Sequence, residues 1–175
     1  MSCHGRSAWT HPRCEDQPFD PDHAATIGRV QATLIGAGRL AVAFACDAQS
    51  TLLLTITARA LGGEHVSLLL DPIQPPTPEA DTLAHVVADS LGLPVLRTWG
   101  PAGQPRRELR DLPVDTIAFG EALDGPGRAP VRPVQRQRVL YPFAEAGLTM
   151  LEIMRCARSM GLADPRLPAA SEAGA

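Results

Sequence analysis

Lysine and asparagine are both missing from this 175-residue chain, and its sixteen basic residues are all arginine. Any phosphate counter-charge must therefore come from a guanidinium group. Positive charge is not in excess either. The net charge is −3, which argues against a nucleic-acid surface. No apolar run is long enough to span a bilayer. The four cysteines, Cys3, Cys14, Cys46 and Cys156, form no Cys-x-x-Cys pair. No signal peptide precedes them, so a reducing cytoplasm is the expected location.

What is present is a core. Apolar residues make up 45% of the chain, enough for one domain of this length. The seventeen prolines and fifteen glycines gather at the ends and within residues 100–135. Residues 1–21 are polar, broken by proline and without period, and read as a flexible arm. Cys3, His4, His11 and Cys14 lie in this arm at a spacing that matches no common zinc module. A single α/β domain is expected over residues 22–163, with a flexible tail over 164–175.

Inside the domain, helical and strand patterns alternate. Ile27, Val30, Leu34 and Ile35 recur at helical spacing, and Gly36 and Gly38 end that run. Residues 39–45, 65–71, 94–99 and 114–120 are short apolar runs that read as buried strands, and 138–143 reads as a fifth. A second helix is expected from about Ser50 to Leu61. A third begins at Thr77 as N-cap, with Pro78 at the first helical position and Glu79 at the positive helix end. The last is expected from about Leu148 to Met160. The order predicts an α/β fold with a parallel sheet of about five strands and helices on both faces. Ligands in such folds collect at the carboxyl ends of the strands: here the 45–50 turn, Asp71 with Pro72, and Gly120 with Glu121.

Three segments carry a family resemblance. VAFACDAQSTLLL, from Val42 to Leu54, resembles the strand, pyrophosphate loop and helix of the PP-loop ATP pyrophosphatases (adenine nucleotide alpha hydrolase-like), whose loop reads Ser-Gly-Gly-x-Asp-Ser. GEALDGPGR, from Gly120 to Arg128, resembles that family's GTNxDD…R stretch. The segment from Tyr141 to Ala169 is similar to SPLxEAGLTKxEIRxLAxxLGLPxWxKPA of the LarE-type ATP-dependent sacrificial sulfur transferases. The resemblance spans about residues 25–170 and implies a first domain that binds ATP with Mg²⁺ and adenylylates a carboxylate. It places a nucleotide site at Ala45, Cys46, Asp47, Gln49, Ser50 and Thr51, with Asp71 near the adenosine, and Gly120 and Arg128 in the later motif.

The departures fall where that chemistry is done. Ala45 stands for the loop serine, Cys46 and Asp47 for the two glycines, and Gln49 for the aspartate; Ser50 is retained. Ala122 stands for the asparagine and Met150 for the lysine. The resemblance implies a further section with a sulfur-donating cysteine, which is not expected within these residues, and the insert between about 98 and 114 holds no cysteine. Loop glycines let backbone N–H groups approach phosphate oxygens without a Cβ in the way. Asp47 adds repulsion, about 4 kcal/mol for two unit charges 4 Å apart at an effective dielectric near 20. The helix N-terminus returns up to about 2 kcal/mol, with Arg128 and Arg132 as candidate counter-charges. The sum predicts that binding of ATP and Mg²⁺ is weak or lost.

Cys46 reads either as a small core residue in a glycine's place or as a thiol activated by the helix N-terminus. Cys156 reads as core, His65 and His85 as surface or satisfied histidines, and Trp99 and Tyr141 as caps on the core edge. Arg106, Arg107 and Arg110 read as a solvated loop or an acidic-partner contact. The functional expectation is a catalytically silent binding or regulatory module, paired with an active homologue or with itself. A divergent ATP-dependent adenylylating or sulfur-transfer enzyme is the alternative. A binder of an adenine-containing or small anionic ligand is the third.

Overall fold

The computed structural model describes residues 21–100, 104–105, 108–125 and 137–162. The expectations for the N-terminal arm, the C-terminal tail, Arg106, Arg107, Arg128 and Arg132 lie outside these residues. Five parallel strands form one sheet: β1 (Leu40–Phe44), β2 (Val66–Leu70), β3 (Val95–Arg97), β4 (Thr116–Ala118) and β5 (Arg138–Leu140), in the spatial order β3-β2-β1-β4-β5. Val42 lies beside Leu68 on one side and Ala118 on the other. The helices are α1 (Pro21–Thr33), α2 (Ala48–Leu61), α3 (Pro78–Leu91), α4 (Pro142–Glu145) and α5 (Met150–Ser159).

The two faces of the sheet follow from the period of two along each strand. Leu40, Val42 and Phe44 join Leu68 and Leu70 in one apolar cluster, with Leu53 and Ile56 of α2, Val87 of α3 and Ile153 of α5. Ala41 and Ala43 point into a second cluster with Leu69, Ile117 and Phe119. Helices on both faces were expected. Among the described residues the long helices all belong to the first cluster, and the second is covered by Leu112, Val114 and Leu109 of a 3₁₀ turn (Leu109–Asp111). Topology explains this division. The crossovers from β1 to β2 and from β2 to β3 lead the same way and put α2 and α3 on one side. The return from β3 to β4 crosses the other side, and its sequence from Pro101 to Pro113 is too rich in proline and arginine to present a helical apolar stripe.

Local chemistry sets the boundaries. Thr77 caps α3 through its side chain and Pro78 follows, as read from the sequence, and Gly92 closes the helix in the left-handed region. The fifth strand was expected to reach Phe143. It ends at Leu140, because Pro142 offers no N–H to a ladder and instead opens α4. Gly38 precedes β1 at φ +67°, where a Cβ would fall 2.7 Å from Asp115 Oδ2. That carboxylate accepts the Arg39 amide at 2.9 Å, which ties the start of β1 to the segment leading into β4.

Candidate functional site

The strand order reverses between β1 and β4, and at their carboxyl ends lies a cavity of about 220 Å³. This is the switch point at which open α/β sheets bind ligands. Its walls come from the end of β1 and the loop after it (Phe44, Ala45, Asp47), the first turn of α2 (Gln49, Ser50), the end of β2 (Asp71, Pro72) and the end of β4 (Gly120, Glu121). Met150, the first residue of α5, closes one side. Two hydrogen bonds bring it there. The Met150 amide donates to Asp124 Oδ1 at 2.7 Å, and the Leu123 amide donates to the Leu148 carbonyl at 2.8 Å.

Ala45, Asp47, Gln49, Ala122 and Met150 all line this one cavity. These residues, far apart in sequence, are five of the six positions at which the chain departs from the PP-loop pattern it resembles; Cys46 is the sixth. Ser50, Asp71 and Gly120 line the cavity too. Cys46 and Thr51 do not: both are buried behind it.

The loop keeps a glycine's backbone without a glycine. Cys46 sits at φ +59°, the one non-glycine residue with positive φ among those described. For an L-residue that conformation is unfavourable by about 1–2 kcal/mol. Its side chain belongs to the first core cluster and its Sγ lies 3.7 Å from the Ala80 carbonyl of α3. The structure thus favours the core reading of this thiol over an activated one facing ligand.

Asp47 is where the loop turns inward. The sequence placed the start of α2 near Ser50, but Asp47 is the N-cap and the helix begins at Ala48. Asp47 Oδ1 accepts the Ser50 backbone N–H at 2.7 Å and the Ser50 hydroxyl at 2.7 Å. The Thr51 hydroxyl donates to the Asp47 carbonyl at 2.7 Å, and Ser50 Oγ accepts the Ala45 amide at 3.2 Å. A carboxylate of the chain itself therefore sits at the positive end of α2, where the resemblance implies a phosphate. Gln49 is also engaged internally, its Nε2 donating to the Gly120 carbonyl.

The electrostatics of the cavity follow. Asp47, Asp71 and Glu121 are three carboxylates on its wall, and no arginine lines it among the described residues. Asp71 Oδ1 accepts the amides of Ile73 and Gln74 at 2.9 and 3.2 Å, holding the turn after β2. Glu121 was noted in sequence only as a neighbour of Gly120; its place on the wall depends on how β4 ends. The volume is also small, about 220 Å³ against the roughly 300–1,000 Å³ usual for small-molecule sites. Nor do any three His, Cys, Asp or Glu side chains group as metal ligands among the described residues. The described side chains of this wall thus offer a nucleotide's phosphates three carboxylates and no arginine.

No family model and no curated protein matches the sequence. Solved structures do match. The chain aligns with the U34-tRNA thiolase NcsA from Methanococcus maripaludis, a structure with its [4Fe-4S] cluster, at a TM-score of 0.56 and 11% identity. The alignment covers 85% of this chain and 67% of the thiolase. The two proteins share a fold. At that identity the likeness shows the α/β fold alone and leaves ligand and chemistry to be argued from the residues. Among the described residues no helix is long and apolar enough to cross a membrane.

Proposed function

We propose that this chain is a PP-loop-type module, related to the LarE-type sulfur transferases, that has given up nucleotide turnover and serves as a binding or regulatory unit. One observation carries the reading: the Asp47 carboxylate holds the Ser50 N–H and hydroxyl at 2.7 Å each, at the head of α2. A polyphosphate entering there meets a negatively charged side chain where the family pattern has a glycine, with Asp71 and Glu121 on the same wall. Each unit-charge pair at 4 Å opposes binding by about 4 kcal/mol at an effective dielectric near 20.

The module's proposed partner is a protein, either an active homologue or a second copy of this chain. Leu123 and Leu151 support this. Each is more than half exposed, on the two segments joined beside the cavity by the Leu123–Leu148 and Met150–Asp124 hydrogen bonds. The reading is tested by a pyrophosphate-release assay with ATP, Mg²⁺ and a panel of carboxylates. No release above background is expected.

A second reading has one observation in its favour. Cys46 retains the positive φ of a loop glycine, and Ser50 and Thr51 still stand at the helix start, as a divergent adenylylating or sulfur-transfer enzyme would need. Pyrophosphate release that Ser50→Ala abolishes would favour this enzyme over the silent module.

A further inference from the structure

We infer that copies of this chain associate head to tail, the outer face of α5 on one copy packing against the outer face of α3 on the next. The inference names the partner within the protein-partner half of the proposed function and rests on that half. It does not depend on whether the cavity at the strand ends receives a nucleotide.

On α5, Leu151, Arg155 and Arg158 are exposed and lie at i, i+4 and i+7, along one stripe of the helix. Leu151 is 57% exposed, and Leu123, 61% exposed, is tied to the start of the same helix by its bond to the Leu148 carbonyl. Among the described residues neither arginine makes an ion pair. Arg155 acts on Glu152 only from a distance, and Glu152 lies 3.9 Å from Arg29. The stripe is thus an apolar end followed by two unpaired guanidinium groups.

The outer face of α3 is its complement. This helix carries Glu79, Asp81 and Asp89 and no arginine. Asp81 is held by Arg97 of β3 at 2.8 Å. The exposed stripe is Glu79, Thr82 and Val86, with Val86 39% exposed and Glu79 in no ion pair among the described residues. Read backwards from Val86, these positions step by four residues and then three, as the α5 stripe does read forwards from Leu151. Laid antiparallel, Leu151 meets Val86, Arg155 meets Thr82 and Arg158 meets Glu79. Each stripe covers about 10.5 Å of helix axis, so both ends coincide. One end buries an apolar pair, and the other joins a guanidinium group to a carboxylate. In the parallel direction Arg158 would fall past Gly92, beyond the end of α3.

The contact is small beside the roughly 800 Å² per partner of a standard stable interface, so a dissociation constant of about 10–100 μM is expected. The two faces differ, so each copy can bind two neighbours and the mean mass should keep rising with concentration.

Sedimentation equilibrium of the full chain, at concentrations on both sides of that range, tests the contact. A mass rising above the 18.6 kDa of one chain is expected. Arg158→Glu and Glu79→Arg should each weaken association about tenfold, because each loses the pair and gains a repulsion. An equal mixture of the two variants should return to within about threefold of the parent, since Glu can again face Arg at every interface. Leu151→Ser should also weaken association while melting with the parent, because that side chain is exposed in the single chain. A chain that stays monomeric would overturn the contact. So would a Glu79→Arg variant that associates like the parent, which would point to α5 packing on α5, or a mixture no tighter than its components. A monomer leaves the silent-module reading standing, whereas pyrophosphate release above background sinks that reading and leaves this contact untouched.

Discussion

Substituting Asp47 separates its structural role from its electrostatic one. Asp47→Ala removes the N-cap of α2, with the 2.7 Å bonds from the Ser50 amide and hydroxyl. Loss of an N-cap typically costs about 1 kcal/mol, within about 0.5–2. Loss of a negative charge at a helix N-terminus adds about 0.3–1 kcal/mol. Ser50 is only 3% exposed, but its hydroxyl still has the Asp47 carbonyl at 3.3 Å, so no further orphaned donor is counted. The total is about 1.5–2 kcal/mol. In a domain of this size each kcal/mol moves the melting temperature by about 2–4 °C, so a fall of about 3–8 °C is expected. Asp47→Asn keeps the cap and loses only the charge, for a fall of about 1–3 °C. The same asparagine variant should bind inorganic pyrophosphate at least about tenfold more tightly than the parent, because one like charge has left the wall. Thermal unfolding and calorimetry read both halves. If Asp47→Ala melts with the parent, or Asp47→Asn gains no affinity for pyrophosphate, the account of this loop is wrong.

Other outcomes follow from the same structure. Leu53 of α2 is fully buried in the main apolar cluster, so Leu53→Ala should lower stability by about 2–5 kcal/mol in chemical denaturation. Gly38→Ala places a Cβ at φ +67° and 2.7 Å from Asp115 Oδ2. It should destabilise by at least about 1–2 kcal/mol, whereas Gly28→Ala, with open space around it and a helical backbone, should be neutral or mildly stabilising. Glu152 titrates below its ordinary value near 4.5, held there first by the Thr149 backbone N–H, then by the Thr149 hydroxyl, with smaller help from Arg29 and Arg155. Because its folded value is depressed, its contribution to α5 is present above about pH 4.5 and drains away as pH falls through the lower value. Glu152→Gln should therefore flatten the acid side of the stability curve and leave its slope near neutral pH unchanged.

The sheet was legible because its signals are local. Residues 40–44 and 66–70 are unbroken apolar runs, and Thr77-Pro78 with Gly92 are complete start and stop signals for a helix. The cover on the second face was less legible, since it depends on which way the β3-to-β4 connection returns, and residues 101–113 carry no period to read. The role of Asp47 was open to reading as well. Asp-x-x-Ser ahead of an apolar run is a capping signal, but the loop had been weighed against a phosphate-binding pattern, and the carboxylate was assigned only its charge. Residue identity alone marked Ala45, Gln49, Ala122 and Met150 as departures. That they share one cavity, with Glu121 beside them, depends on the Asp124–Met150 and Leu123–Leu148 hydrogen bonds across the strand ends.

The measurement closest to the central claim is a calorimetric titration of Mg²⁺·ATP into the unmodified full chain at low ionic strength. An absence of binding heat up to millimolar nucleotide is the expected result. Micromolar affinity, lost on Ser50→Ala, would show that the head of α2 still receives a triphosphate and would contradict the account.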